Sequence, residues 1–382
     1  MGLRSLRPGF ESRRVRPHGS PCENAIRSGF DSSLGTNCLF SALENVGCPA
    51  HSPIVSLGSC TLKYEPRLGT LGHEKMGKAQ KNEQWWHEKV VQLQKQAEPF
   101  AEIEPATIYT KGFWAAIKLT FMKYALGFYA PIMAKNRADG LWDSLHFIDF
   151  CAGSGLTRLE SGRYPGNTLT VTGSALIGAH ESRFDHYHFA EPNKASANAL
   201  RSRLAARVPA EKFTVYDEAS GSAIPKIVAA IKAASKRPHF MGFVDPEGLT
   251  EVTLPSLVPL FEFGRGDFLF NYQYMGVRRI PEPAASAFFG SNDWPRTGPE
   301  VELQEYFLSR LKAFGRPASL RLNIAAGKGS GRYAYDLVYC AAETKAKNPW
   351  LTNLQVEIEK RMAGLDGALL EDFILGGQRT LF

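Results

Sequence analysis

The chain has 382 residues, of which 44% are hydrophobic and 22% are charged, and this is the balance of a globular protein with a buried core. The composition excludes a disordered chain, a collagen-like chain and a disulfide-rich miniprotein. The formal net charge of +7 permits a nucleic-acid partner, although the basic residues are dispersed and form no block.

The sequence predicts neither a membrane span nor a metal site. Its most apolar stretch, residues 113–133, is interrupted by Lys118, Lys123 and Pro131, so it lacks the roughly 20 uninterrupted apolar residues that a bilayer span needs. The six cysteines form no C-x-x-C pair, which argues against a zinc site and a redox pair. The N-terminal arginines precede no apolar signal segment, so we expect a cytoplasmic protein.

Residues 1–75 contain scattered Gly, Pro and Ser without persistent apolar periodicity, and they do not read as a domain. Residues 9–12, Gly-Phe-Glu-Ser, are what GG-TTC-GAA-TCC encodes, and this nucleotide sequence resembles the T-arm of a transfer RNA gene. We therefore expect a mis-assigned upstream extension, with translation starting at Met76. The alternative is a disordered basic tail, and N-terminal sequencing of the native protein distinguishes the two.

Helical periodicity begins near residue 78. Trp86, Val90, Leu93 and Ala97 share one face of a predicted helix, and residues 114–128 predict a second amphipathic helix. Short apolar runs then alternate with alanine-rich helical stretches, which predicts βαβ units and a mainly parallel sheet covered by helices. Seven strands are predicted, at residues 145–151, 187–190, 213–216, 240–244, 267–272, 320–325 and 335–341.

The last two predicted strands are joined without a helix, so a hairpin should make the final strand antiparallel to its neighbour. We divide the chain into the extension (1–75), a helical N-terminal part (76–140), the sheet-forming core (141–345) and a C-terminal helical segment (346–382). Within the core, an insertion at about residues 280–318 is predicted to form a lid.

The strongest functional signal is an apolar strand that ends at Asp149 and leads into the turn Cys151-Ala152-Gly153-Ser154-Gly155. Glycines are needed where backbone approaches a ligand closely, and the amides that open the next helix suit a polar or anionic group. Ligands of doubly wound sheets bind at the carboxyl ends of the strands. We therefore predict that Asp149, Ala152, Gly153 and Gly155 bind a cofactor, with an ordinary strand–helix turn as the alternative.

Three further acidic residues end successive predicted strands. Glu191 ends the second strand and could accept hydrogen bonds from both hydroxyls of a ribose. Asp217 ends the third and could meet an adenine amino group, and Asp245 ends the fourth, where the reacting atoms would lie. Each alone could be a helix N-cap or a solvated loop residue. Together, after the glycine turn, they favour a cofactor that contains a nucleoside.

These motifs resemble the class I S-adenosylmethionine-dependent methyltransferase fold and, more closely, the three-Cys-motif partner protein family (TcmP). The likeness spans roughly residues 78–342 and rests on the glycine turn together with these further stretches: Gly173-Ser174-Ala175-Leu176, residues 243–249, Phe288-Phe289-Gly290, Asp293-Trp294 and a helix near Tyr306. It implies a Rossmann-like domain that binds S-adenosylmethionine, often encoded beside a partner protein with a three-cysteine motif.

The chain departs from the expected pattern at two places. Glu191 lies 42 residues after Asp149, which is longer than the roughly 20 residues usual in a dinucleotide-binding unit. An insertion around residues 158–173 must therefore be accommodated. Glu247 stands after Asp245-Pro246, where an aromatic residue or a proline is expected.

Methyl transfer from a sulfonium is an in-line displacement, so the protein must position the reactants, exclude water and, for some acceptors, remove a proton. Asp245 or Glu247 could hold or deprotonate an acceptor amine or hydroxyl. Tyr272 or Tyr274 could stack on a planar acceptor, and the alternative for both is packing beneath the lid.

The sequence therefore predicts a methyltransferase that acts on nucleic acid or on a substrate bound with the partner protein. Arg278 and Arg279, with Arg265 and Arg296, could line a cleft for phosphate groups. One alternative is a catalytically inert Rossmann-like subunit that only scaffolds the partner. A nicotinamide-dependent oxidoreductase is disfavoured, because Arg158 occupies the position of the third glycine of G-x-G-x-x-G.

Overall fold

A computed structural model of the chain describes residues 78–326, 333–341, 349–362 and 367–375. The expectation for residues 1–75 lies outside these ranges. The described part begins with two long helices and a short strand between them, α1 (Lys78–Ala97), β1 (Tyr109–Gly112) and α2 (Trp114–Ala138).

The remaining elements follow in chain order: β2 (Ser144–Asp149), β3 (Leu156–Glu160), β4 (Thr168–Thr172), α3 (Ser174–His180), β5 (His186–Ala190), α4 (Lys194–Ala205), β6 (Phe213–Tyr216), α5 (Ser220–Ala234), β7 (Pro238–Val244), α6 (Val258–Phe261), β8 (Asp267–Tyr272), α7 (Tyr274–Val277), α8 (Glu282–Phe289), α9 (Glu300–Ala313), β9 (Ala318–Ala326), β10 (Tyr333–Cys340), α10 (Pro349–Met362) and α11 (Gly367–Leu375).

Seven strands form one sheet in the order β6-β5-β2-β7-β8-β10-β9. The pairs from β6 to β8 are parallel, and β10 is antiparallel to both β8 and β9. The predicted class is confirmed: a Rossmann-like, doubly wound and mostly parallel seven-stranded sheet with one antiparallel strand. That strand is the last in the chain, but it lies inside the sheet and leaves β9 at the edge. Strand order reverses between β2 and β7, which creates a crevice at their carboxyl ends.

The central strands are apolar throughout because helices cover both faces of the sheet. Every residue of β2, β7 and β8 is buried. Leu145 and Phe147 belong to one apolar cluster and Ile148 to another, as expected when successive side chains point to opposite faces. The predicted apolar face of α1, from Trp86 to Ala97, is buried in the first cluster.

Helix α2 is more deeply buried than an amphipathic helix would be. Its first turns, including Lys118, lie almost entirely inside the protein. None of the helices in the described part of the chain combines the length and the apolarity of a membrane span.

A second sheet, not predicted from the sequence, has the strand order β1-β3-β4. Strand β1 runs parallel to β3, and β3 pairs with β4 as an antiparallel hairpin. This hairpin is the insertion that the long spacing between Asp149 and Glu191 required. Its alternating Thr168–Thr172 segment carries a strand signal that the prediction overlooked.

The segment predicted as a lid, residues 280–318, contains α8 and α9. It packs on the second apolar cluster through Phe288, Phe289, Trp294 and Phe307. None of its residues lines the main cavity described below. It therefore packs beside the sheet, and β1 and the start of α2 cover the cavity in its place.

Candidate functional site

A cavity of about 910 Å³ lies at the carboxyl ends of β2, β5 and β7, where the strand order reverses. Its wall is formed by the glycine turn, by β1 and the beginning of α2, and by the loops that follow β5 and β7. The volume is at the upper end of the roughly 300–1,000 Å³ typical of small-molecule sites. The cavity therefore has room for a ligand of nucleoside size and for a second reactant.

The glycine turn requires glycine for two reasons. Gly153 and Gly155 have φ values of +58° and +86°, in the left-handed region that favours glycine. A Cβ on Gly155 would also lie 2.9 Å from Leu200 Cδ1 and 3.1 Å from Leu176 Cγ. The amide of Gly173 donates to the Gly155 carbonyl at 2.8 Å and closes the turn against the start of α3. Ala152, Gly153 and Gly155 all line the cavity, as the sequence predicted.

Asp149 lies beneath this turn and does not line the cavity. Its Oδ1 accepts a hydrogen bond from the amide of Cys151 at 3.1 Å. Burial raises the pKa of Asp149 to about 7, although the Ser174 hydroxyl and the Cys151 amide stabilise the charged form. Asp149 is therefore placed to support the turn from below.

Glu191 occupies the position predicted for it, at the end of β5 and in the cavity wall. Its two carboxylate oxygens are held separately: Oε2 accepts from the amide of Gly153 at 2.9 Å and Oε1 from the amide of Asn193 at 2.8 Å. Each carboxylate oxygen has a further lone pair. A ribose diol in the cavity could donate to these remaining lone pairs, because the two amides fix the orientation of the carboxylate.

Asp217 does not line the cavity. Its carboxylate pairs with Arg201 of α4, which also donates to the Val215 carbonyl at 2.9 Å. The structure therefore does not bring Asp217 together with the glycine turn and Glu191, and its contact with an adenine amino group stays a prediction. The salt bridge within the β5–α4–β6 unit explains the difference, since it holds this side chain against α4.

Asp245 lies in the wall at the end of β7, as predicted, but in an unexpected pairing. Lys118 of α2, which is only 7% exposed, forms an ion pair with its Oδ2. The side-chain Nδ2 of Asn271, at the end of β8, donates to Oδ1. Close by, the side-chain Nε2 of Gln273 donates to the Pro246 carbonyl at 3.1 Å. Sequence reasoning missed Lys118, although a lysine within an apolar helical stretch was the available signal.

The mouth of the cavity is acidic. Glu247 pairs with Lys111 of β1, and its side chain is 63% exposed. Burial, together with the neighbouring carboxylates of Glu247 and Glu251, raises the pKa of Glu191. Burial likewise raises the pKa of Glu251, with Glu247 adding to the shift. In total six acidic side chains and two lysines line the cavity: Glu160, Glu191, Asp245, Glu247, Glu251 and Glu371, with Lys111 and Lys118.

Tyr272 does not reach the cavity, so the structure favours the alternative interpretation, in which it packs in the core. It is 2% exposed, and its ring stacks on Phe307 with centroids 3.9 Å apart. Its hydroxyl donates to the Leu303 carbonyl at 3.3 Å. Tyr274 is also buried, and its hydroxyl accepts from Asn323 at 3.3 Å. Tyr272 at the end of β8 is thus turned toward the inserted helices, whereas Tyr274 at the start of α7 contacts β9.

The arginines considered for phosphate binding do not form one cleft. Arg265 precedes β8 and lies over the ring of Trp142, whereas Arg278 follows β8 and donates to the Pro299 carbonyl. These two residues therefore lie at opposite ends of the strand. Arg296 pairs with Glu282.

The C-terminal helix α11 contributes Glu371 to the cavity wall. Its Oε1 accepts from the Ser161 hydroxyl and from the amide of Arg163, the latter at 3.0 Å. The next residue, Asp372, pairs with Arg163 and accepts from Tyr164 Oη at 2.7 Å. The loop between β3 and β4 is thus attached to α11.

No family model and no curated protein matches the chain. Solved structures with some likeness include a 16S rRNA adenine methyltransferase from Catenulisporales acidiphilia (13% identity, 55% of this chain and 90% of that chain, TM-score 0.30). A precorrin-6y C5,15-methyltransferase from Geobacter metallireducens has 13% identity over 55% of this chain and 86% of that chain, with a TM-score of 0.28.

A third is Trm1 from Pyrococcus horikoshii in complex with S-adenosyl-L-methionine, with 10% identity over 58% of this chain and 56% of that chain and a TM-score of 0.30. At these values the likenesses carry no argument about function. The Rossmann-like fold is established by the strand order of this chain itself.

Proposed function

We propose that this protein is an S-adenosylmethionine-dependent methyltransferase. The observation that carries the proposal is the Glu191 carboxylate, held at the end of β5 by the amides of Gly153 and Asn193 and facing the cavity beside the glycine turn. A fixed, nearly buried carboxylate next to backbone in the left-handed conformation suits the ribose of this cofactor. The adenine base and the methionine part could then extend along the turn.

The charge of the cavity favours this cofactor over a dinucleotide. Six carboxyl groups and two lysines line the wall. A pyrophosphate would bring further negative charge to that wall, whereas the sulfonium and amino groups of S-adenosylmethionine are positive. When bound, the cofactor supplies an electrophilic methyl group to an acceptor.

The acceptor would lie near Asp245, whose two oxygens are held by Lys118 and Asn271. A carboxylate fixed in this way can accept a hydrogen bond from an acceptor N–H or O–H through its remaining lone pairs, and so orient the attacking lone pair. Trp114, Lys118 and Gln273 line the cavity together with Asp245. Asp245 thus orients the acceptor, and Glu247 at the mouth is open to solvent for uptake of a released proton.

Two narrower parts of the proposal rest on motifs alone. They are membership in the three-Cys-motif partner family, and an acceptor that is a nucleic acid or a substrate bound with a three-cysteine partner protein. Because acidic groups predominate in the cavity, the phosphates of a nucleic acid would have to be held by residues outside it. The inert-scaffold alternative differs in one respect: it predicts no methyl transfer to any acceptor.

The test is isothermal titration of the full chain with S-adenosylmethionine, S-adenosylhomocysteine and NAD, after mass spectrometry has shown that no ligand co-purified. We expect saturable one-site binding of the first two and none of NAD. Binding of NAD alone, or of none of the three, would refute the proposal. Binding of the first two with no transfer of a labelled methyl group to RNA, DNA or the co-expressed partner protein would favour the scaffold.

A further inference from the structure

Arg203 of α4 is a fully buried arginine that has no part in the chemistry proposed above. It does not line the cavity, and no carboxylate among the described residues forms a salt bridge with it within 4.0 Å. A buried guanidinium is costly unless its donors are satisfied. Its Nε finds no partner among the described residues, so the acceptors of Nη1 and Nη2 indicate what the residue holds in place.

Those acceptors belong to two separate segments: the glycine turn, which lines the cavity, and residues 103–107, which do not line it but lead into β1. Nη1 donates to the carbonyl of Ser154, which lies between Gly153 and Gly155. Nη2 donates to the carbonyls of Ile103 and Glu104, the second at 3.0 Å, and lies 3.3 Å from the Thr107 hydroxyl oxygen. One planar side chain thus connects the glycine turn with residues 103–107.

Residues 103–107 lead directly into β1. Glu104 has a φ of +48°, the one left-handed backbone conformation among the non-glycine residues that the structure describes, and its carbonyl is one of the Arg203 acceptors. A non-glycine residue keeps such a conformation only where its surroundings enforce it. The bond from Arg203 is part of that enforcement.

Strand β1 in turn covers the glycine turn. Tyr109 Cδ2 lies 3.7 Å from the position that a Cβ on Gly153 would occupy. The hydroxyl of Ser196, in the first turn of α4, donates to Tyr109 Oη at 3.0 Å. Helix α4 therefore holds β1 twice, through Ser196 at the strand itself and through Arg203 at the segment before it.

We propose that Arg203 is a positioning residue that fixes β1 over the glycine turn and thereby sets the shape of the ligand cavity. Only a forked donor can serve both segments, because a lysine ammonium at this position could not reach the two sets of carbonyls together. The ligand-binding consequence rests on the proposed function, whereas the clamp itself does not.

The test compares R203K with R316K in the full chain. Arg316 is a matched control, since it is 1% exposed and donates to the carbonyls of Gly266 and Phe261 at 3.3 and 2.8 Å, away from the cavity. We expect R203K to weaken binding of S-adenosylhomocysteine by about tenfold, the loss expected when one hydrogen bond to the ligand is misplaced. We expect R316K to lower the melting temperature without this loss.

Hydrogen–deuterium exchange without ligand provides the second measurement. R203K should accelerate exchange in residues 101–112 at least severalfold, and R316K should not. Unchanged exchange in R203K would overturn the proposal, as would faster exchange with wild-type affinity. If the wild-type chain does not bind S-adenosylhomocysteine, the proposed function fails and exchange alone decides on the clamp. If R203K does not fold, T107V, which removes the one side-chain acceptor of Arg203 in this segment, should accelerate exchange in residues 101–112; unchanged exchange would overturn the proposal.

Discussion

Replacement of Glu191 should weaken cofactor binding while the protein stays folded. In E191A the cavity loses a carboxylate whose two oxygens are pre-oriented by the amides of Gly153 and Asn193. A hydrogen bond to a charged group contributes about 1.5–3 kcal/mol, which corresponds to roughly ten- to a hundred-and-fifty-fold in affinity. We expect S-adenosylhomocysteine to bind E191A weaker by a factor in this range. E191Q keeps one acceptor oxygen and should lose about tenfold.

Asp217 is the matched control, because it directly follows β6 just as Glu191 directly follows the neighbouring strand β5. It pairs with Arg201 outside the cavity, so D217N should bind S-adenosylhomocysteine with wild-type affinity. Titration calorimetry at 25 °C measures the affinities, and circular dichroism verifies that each variant is folded. Equal affinity in wild type, E191Q and E191A would refute the placement of the cofactor, as would a loss in D217N as large as that in E191A.

Three further predictions concern stability. G155A should be destabilised by about 1–3 kcal/mol from its left-handed conformation, with an added cost from moving Leu200, measured by urea unfolding. K118M should be destabilised by about 2–4 kcal/mol, because it leaves the Asp245 carboxylate without its cation, and K118M/D245N should recover part of this loss. Burial lowers the pKa of His146 to about 4, below its unfolded value of 6.5, so its contribution to stability is present above pH 6.5 and is lost as pH falls toward 4.

Each of these predictions has its own control. G127A places a Cβ in open space within α2 and should not destabilise the protein. K111M breaks the exposed pair with Glu247 and should change stability by less than about 1 kcal/mol. An H146N variant should lose about 2–3 kcal/mol less than wild type between pH 7 and pH 4.5. A loss of the same size in both would show that His146 is not responsible.

Buried acids change the stability with pH in the direction opposite to His146, so the effect of His146 is measured as the difference between wild type and H146N. Burial raises the pKa of both Asp149 and Asp267 to about 7, well above the unfolded value of 3.8. These carboxyl groups favour the folded state at low pH and oppose it as pH rises through 7. The pH dependence of wild-type stability therefore combines both effects, and H146N removes only the contribution of His146.

The sequence by itself determined the seven strands of the main sheet, the glycine turn and Glu191. These features are local: an apolar run of strand length covered on both faces, glycines at left-handed positions, and an acidic residue directly at a strand end are each visible within a few residues. The antiparallel direction of β10 also followed, since a connection without a helix between adjacent strands permits a hairpin.

Only the tertiary structure decided which of these residues meet in the cavity. Glu191 and Asp217 look alike in the sequence, yet one is held by turn amides and the other by Arg201. The pairing of Lys118 with Asp245 joins residues 127 positions apart, and Arg203 reaches both the glycine turn and residues 103–107. Such contacts depend on how separate elements pack against one another. A pattern within a few residues of the sequence carries no information about which distant residues come close together in space.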